Sequence, residues 1–510
     1  MRVVLKICSL LVALLVSTSS SWAQQNKDTL RIALNEFVPV INPYDLTLNE
    51  LSRVYRQVYR TLISYDERGK IFVPELATSW KQIDPSTIEF QLRDDVTFHS
   101  GNPFTADDVV YTINYIVSPE SKIPGKAKYA YLKGAEKVGP YTVRIKTEPG
   151  QGTALSSIAY ELFILDSKIH SSLADKTTYG RVSASSAGQY KVVSMDPRKG
   201  ALLERFDNFK GDPKYHRAPI RFIQLIPIPE KQTQVAQILT GGVDLLRNVE
   251  PDTAAGLTGN PDLKISSVPS GEFIYLLLDA AGRSGVAPLK DVRVRKAIAM
   301  AIDRDTIGKA LITGGEAEKP MDAICFPSNP GCAYSTKPPA FDLAGAKKLL
   351  AEAGYPNGFK SPFYVHAPLR QVGEAIALQL QQAGIQPAME ALPITVYTQK
   401  RGDGQLSLFL GSRPTASNPE ATQIFTNLFG GQRDYAKDPI IDKAVAEAEK
   451  TYDVNERAKV LQTAIDRNNE MAYVLPVASL PTVFVHNKNL RVEPNQLSTN
   501  DVEISDYFWK

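Results

Sequence analysis

The side chains most able to do chemistry in this 510-residue chain are few and scattered. Its five histidines, His99, His170, His216, His366 and His486, lack the short spacings that bring imidazoles onto one metal ion. His99 follows Asp94 and Asp95, a grouping suited to acid–base work, but a turn between strands accounts for those acids without a reaction. The chain has no Gly-x-Ser-x-Gly elbow, no Gly-x-x-x-x-Gly-Lys loop and no His-Glu-x-x-His helix, and Gly150-Gln151-Gly152 lacks the third glycine of a dinucleotide loop. The expectation is a protein that is not an enzyme and carries neither cofactor nor metal.

Cys325 and Cys332 lie in the sequence ICFPSNPGCAY, wider apart than a Cys-x-x-Cys redox pair. They read as a disulfide staple across a Pro-rich turn, worth about 2–3 kcal/mol by loop entropy, or else as two free thiols. Compartment favours the staple. Arg2 and Lys6 precede an apolar run from Ile7 to Val16, and Ser21-Trp22-Ala23 offers a cleavage site, so residues 1–23 read as a signal peptide. Cys8 would leave with that segment, so the expected product is a free periplasmic protein and not a lipoprotein. Losing Arg2 and Lys6 brings the formal charge from +3 to about +1, without any basic run that would point to nucleic acid. At this length the chain should divide into two or three domains, and the expected state is a monomer.

The elements that must position any site alternate between strand and helix. Thr29 to Leu34 has the pattern of a strand, and Asn49 to Leu62 that of a helix. Ile88, Phe90 and Leu92 alternate with Glu89, Gln91 and Arg93, which predicts a half-buried strand; Val96 to Phe98 resumes the pattern. After a turn at Ser100-Gly101, Thr105 is placed to cap a helix whose buried stripe is Val109, Val110, Ile113 and Ile116. Lys137 to Glu148 and Gln189 to Phe206 read as hairpins, Ile220 to Ile228 and Phe273 to Leu278 as strands. Glu230 to Thr240, Asp291 to Asp303 and Leu343 to Ala353 read as helices. Phe363 to Leu392 reads as a strand-helix-strand unit, and Ala472 to Val477 and Thr482 to His486 as two final strands. The mixture predicts an α/β protein.

The block from Trp80 to Pro119, WKQIDPSTIEFQLRDDVTFHSGNPFTADDVVYTINYIVSP, closely resembles the hallmark segment of the family 5 extracellular solute-binding proteins, the oligopeptide, dipeptide and nickel binders of bacterial ABC importers. LRIALNEFVPVINP, PELATSW, LLERFDNFKGDP, QILTGGVDLL, PLKDVRVRKAIAMAIDR, DLAGAKKLLAEAGYPNGF and ALQLQQAGI resemble further segments of that family, in its order. The resemblance implies a two-lobed periplasmic-binding-protein fold with an extra domain inserted in the first lobe. By analogy the first lobe comprises 24–46, 166–269 and 471–510, the inserted domain 47–165 and the second lobe 270–470. It also implies capture of a peptide-like or other small polar solute between the lobes and delivery to ABC permease subunits. A metal chelate as cargo, or an exported hydrolase on the same lobes, are the alternatives.

Several cleft loops follow from the same resemblance. Asn35 and Phe37 lie in the first, where Phe37 could stack on a ligand or shield the loop as core. Arg247 and Asn248 follow the Val-Asp turn, and Tyr275 opens the second lobe, where it suits the core better than a contact. The segment GSRPTASNP departs from the family's Gly-Trp-x-x-Asp-x-x-Asp-Pro: Ser412 stands at the Trp, Thr415 at the Asp that pairs with a peptide ammonium, and Asn418 at the second Asp. A buried ammonium without a carboxylate is costly. Arg413 and Arg247 instead suit an acceptor-rich or carboxylate-bearing solute, peptide-like or opine-like, although Arg413 reads equally as a solvated loop residue.

Overall fold

The computed structural model describes residues 27–36, 40–44, 52–181, 185–312, 320–415, 418–494, 497–498 and 502–510. The expected signal segment 1–23, Phe37 and the expected 46/47 boundary lie outside these ranges.

A ten-stranded sheet runs through the molecule. At one end, Lys360–His366 lies between the parallel strands Gln386–Leu392 and Leu408–Pro414. At the other, Thr29–Leu34 pairs in parallel with Phe222–Pro227, followed by the antiparallel strands Gly200–Arg205 and Tyr190–Asp196. Two long antiparallel strands, Leu263–Leu278 and Val474–Asn487, join the two ends. The expected strands Ala472 to Val477 and Thr482 to His486 are therefore one continuous element. Its ladder shifts register between Pro269 and Glu272, and Gly271 there has φ +65°, a conformation glycine adopts at little cost.

The central strands of this sheet are buried on both faces, which is why they read as near-continuous apolar runs, whereas the edge strands Tyr190–Asp196 and Gln386–Leu392 are partly exposed. In the second half, Ile274, Leu276 and Leu278 enter one core and Phe273, Tyr275 and Leu277 the other. In the first half, Leu30, Ile32 and Leu34 face the larger core, while Ala33 packs with Ile238, Val243 and Val485 behind.

A separate four-stranded antiparallel sheet, Ala77–Asp84, Thr87–Leu92, Thr142–Thr147 and Leu132–Gly139, packs under the helix Ala106–Val117. Thr105 and Asp108 close that helix with a reciprocal capping box, as the spacing predicts. Ile88, Phe90 and Leu92 are buried, and so is Glu89, against the alternation expected; Lys81 and Arg144 reach its carboxylate at 3.0 and 2.9 Å. Val96 to Phe98 forms only an isolated bridge between Thr97 and Pro103, because the chain turns at once into the helix.

The small-sheet region is fastened to the second half of the large sheet by a short seam. Glu420 and Arg457 form an ion pair whose side chains are both 0% exposed. Ser156 Oγ donates to Glu420 Oε2 at 2.6 Å, and Arg457 Nη1 donates to the carbonyls of Gly152, Thr451 and Tyr452. The Gly152 N–H donates to the Glu449 carbonyl, and Tyr452 Oη to that of Pro85, both at 2.6 Å. A Cβ at Gly152 would lie 2.4 Å from the Thr451 carbonyl oxygen, so the close approach requires glycine. Cys325 and Cys332, with Cα atoms 6.0 Å apart, hold their sulfurs at disulfide distance.

Removing one partner of the buried pair strands the other charge. Arg457→Met should lower unfolding free energy by about 3–5 kcal/mol, with much of the loss recovered when Glu420→Leu is added; a urea melt showing the single variant within about 1 kcal/mol of wild type would refute this. Burial also draws His99, His170 and His486 down to about 4. Their folded values lie below the ordinary ~6.5, so the stability they confer is present above that pH and is lost as pH falls toward 4. The urea midpoint should therefore drop from pH 7 to pH 5, with His486→Gln reducing the slope by one proton, about 1.4 kcal/mol per pH unit. A midpoint constant over that interval would rule out neutral burial.

Candidate functional site

Two cavities lie beside the seam. The inner one, about 130 Å³, is walled by the helix Ser52–Val58 and the chain after it, by 159–163, by Tyr215 and His216, by Leu497, Ser498, Glu503 and Ser505, and by Gly271, Asn329, Thr415 and Pro419. The outer cleft, about 670 Å³ and more open, is walled by Lys128, Glu161, Arg413, Arg433 and Glu449 among others. No residue from Trp80 to Pro119 is among the described residues that line either one.

Most of the inner cavity's charge is already matched. Glu75 accepts from Arg60 Nε and Nη2 at 2.8 and 2.5 Å, from Ser64 Oγ at 3.0 Å and contacts His216 Nε2 at 2.9 Å. Burial alone would push this carboxyl up, but His216 and Arg60 outweigh it and hold Glu75 well below the usual carboxylate range. Arg60 also packs over the Phe209 ring and donates to the Lys210 carbonyl. Glu503 accepts from Arg56 Nη1 and Gln57 Nε2, each at 3.0 Å. Glu67 accepts from Ser498 Oγ at 3.5 Å. Among the described residues, Gln57 Oε1, Tyr160 Oη and Asn329 Nδ2 are buried without a hydrogen bond, and all three residues line the cavity. Unsatisfied groups of this kind cost stability in an empty cavity and are repaired by a complementary ligand.

The outer cleft has the opposite character. Among the described residues the Arg413 guanidinium meets no ion pair or hydrogen bond, and its Nε is buried. Burial lowers its pKa, and the neighbouring Arg401 and Arg433 act in the same direction, against Tyr275 and Tyr397. Burial raises Glu161, which faces Lys128 at 3.9 Å, toward its neutral form.

The expected site residues divide accordingly. Thr415 stands on the inner wall, where its N–H and Oγ1 both donate to the Gly271 carbonyl, at 2.8 and 2.5 Å. Arg413 stands in the outer cleft, and Asn418 is buried beyond it, its Oδ1 accepting from the Glu420 N–H at 3.2 Å. Ser412 pairs with Ile274 in the sheet. Tyr275 is 3% exposed in the core, its hydroxyl 3.1 Å from that of Tyr397. Arg247 lies over the Phe484 ring, Asn248 adopts φ +54°, and Asn35 Oδ1 accepts from Gln234 Nε2; none of these three lines either cavity. The reading from sequence missed Arg56, Gln57, Arg60, Tyr160, His216 and Asn329. The i, i+4 spacing of Arg56 and Arg60, and an Asn-Pro-Gly turn inside a cysteine-closed loop, were the available signals. Among the described residues no three His, Cys, Asp or Glu gather as a metal site.

Comparison with known proteins agrees with this architecture. The chain is similar to the glutathione-binding protein GsiB of Escherichia coli O157:H7, 25% identical over 505 residues that cover 94% of each. Heme-binding protein A of Haemophilus influenzae is 24% identical over 69% of this chain and 68% of its own. The unliganded open form of the periplasmic murein tripeptide binding protein MppA shares the fold with a TM-score of 0.80 at 19% identity, covering 95% of this chain and 98% of that one. The family model for bacterial extracellular solute-binding proteins, family 5 Middle, matches residues 72–436, and the chain belongs to that family.

Proposed function

We propose that this chain is the exported, periplasmic capture component of an ABC importer, and that its cargo is a small peptide-like solute bearing a carboxylate. The observation that carries the cargo class is the Arg413 guanidinium, without a partner among the described residues, in the outer cleft. A guanidinium held without a counter-ion is suited to a carboxylate by bidentate hydrogen bonding. Thr415 supports the same reading from the other side, since its hydroxyl is committed to a backbone carbonyl and supplies no charge for a peptide ammonium. Relatives named for glutathione and a murein tripeptide are compatible with this class.

In this reading the two halves of the large sheet act as lobes, the small-sheet region belongs with the first, and binding favours the arrangement in which all three enclose the solute. Cleavage after Ala23, a soluble product without a lipid anchor, an oxidised Cys325–Cys332 pair, a monomeric state and the absence of turnover and of nucleic-acid binding belong to the same proposal.

The test is mass spectrometry of solute released by denaturing the purified protein, followed by calorimetric titration of that solute, glutathione and a panel of di- and tripeptides. A carboxylate-bearing solute is expected, with Arg413→Ala weakening its binding about ten- to a hundredfold, the range of a charge-assisted hydrogen bond. Unchanged affinity in that variant, or tight binding of ordinary dipeptides regardless of it, would exclude Arg413 as the anchor.

A further inference from the structure

The loop closed by Cys325 and Cys332 presents one buried side chain to the inner cavity. Asn329 is 3% exposed, and its neighbours settle which way its amide faces: Oδ1 accepts from the Phe326 N–H at 2.9 Å, so Nδ2 is the end left over, buried and without a partner among the described residues. Backbone bonds fix the loop itself. The Asn329 N–H donates to the Phe326 carbonyl at 2.8 Å, the Cys332 N–H donates to the Asn329 carbonyl at 3.1 Å, and the Ala421 N–H donates to the Pro330 carbonyl at 2.9 Å. Phe326 packs edge-on against Phe273 of the long strand.

On the wall built by the first helix, Gln57 is the counterpart. It is 2% exposed, its Nε2 donates to the Arg53 carbonyl and to Glu503, and so Oε1 is the unpaired end. The cavity thus offers a fixed neutral donor from the second half of the chain and a fixed neutral acceptor from the first. The geometry points to Asn329 and Gln57 as specificity-determining residues that read an uncharged secondary amide of the solute, Asn329 Nδ2 donating to its carbonyl and Gln57 Oε1 accepting from its N–H. An amide suits this pair better than an ion. Glu75 and Glu503 are matched by Arg60 and Arg56, Glu67 accepts from Ser498 Oγ at 3.5 Å, and a neutral group leaves those contacts undisturbed.

This inference rests on the inner cavity being the solute site, and its test separates the two. Full-length protein stripped of co-purified solute is titrated with di- and tripeptides and with analogues in which an ester replaces the peptide bond, using wild type, Asn329→Asp and Arg413→Ala. Asn329→Asp keeps the Oδ1 acceptor that anchors the loop and turns the donor into an acceptor. It should weaken peptide binding at least tenfold; its buried carboxylate also lowers the melting temperature of the ligand-free protein, so binding is titrated well below that transition. If that variant does not fold, the ester analogues decide on wild type alone, with an expected loss of about tenfold. Peptides that bind wild type, the Asp variant and their ester analogues equally well would overturn the amide reading while leaving solute capture intact. A wild-type protein that neither binds any peptide nor yields any co-purified solute would overturn both.

Discussion

The two antiparallel strands Leu263–Leu278 and Val474–Asn487 are the constraint on which the rest of the molecule depends, because they alone belong to both halves of the large sheet. Every other strand of that sheet pairs within one half. Where the halves meet, Pro269 stands opposite Pro481, two residues with no N–H to give the ladder, and the register shifts immediately afterwards across Ser270 and Gly271. The ladder is therefore weakest at its middle. Gly271 lines the inner cavity, and its carbonyl takes both hydrogen bonds from Thr415. The break in the sheet and the wall of the cavity are the same few residues, so a change in pairing angle there would alter the cavity directly.

The buried Glu420–Arg457 pair answers that weakness from the outside. With both side chains fully removed from water, its desolvation cost is repaid only because each remaining polar edge finds a partner: Ser156 and Thr422 on the carboxylate, three backbone carbonyls on the guanidinium. Two of those partners, Gly152 and Ser156, lie far in sequence from 420–457. The pair thus selects one arrangement of distant segments, and any other arrangement leaves a charge stranded.

How much of this the residues disclose depends on the range of the interaction. Thr29–Leu34, the capped helix after Thr105 and the parallel strand-helix-strand unit are set by local alternation, caps and turns, and they fold as the pattern reads. The long strands are hidden because Pro269-Ser270-Gly271 and Ser479-Leu480-Pro481 look like turns to any local rule; only pairing with each other carries them through as strand. Glu89 is misleading for a related reason, since its burial is set by Lys81 and Arg144 from neighbouring strands. In the candidate site, Thr415 is conspicuous by departing from a family pattern, and Arg413 lies two residues before it. Gln57 and Asn329 have no such mark, because an amide becomes informative only once its other end is known to be occupied.

The two cavities differ in the charge of their walls. On the inner wall Glu75 and Glu503 are matched by Arg60 and Arg56, while amide and hydroxyl atoms are buried there without a partner among the described residues, whereas the outer cleft carries a guanidinium that no described residue satisfies. A solute bound with its charge inward would have to compete with the Arg60–Glu75 and Arg56–Glu503 pairs, and with a carboxylate outward it meets Arg413 in a cleft that Glu161 and Glu449 also line. On the proposed reading this fixes an orientation: neutral amide toward Gln57 and Asn329, carboxylate toward the outer cleft. Replacing the family's aspartate by Thr415 fits that polarity, since an ionised side chain at that wall would return a charge to the neutral end.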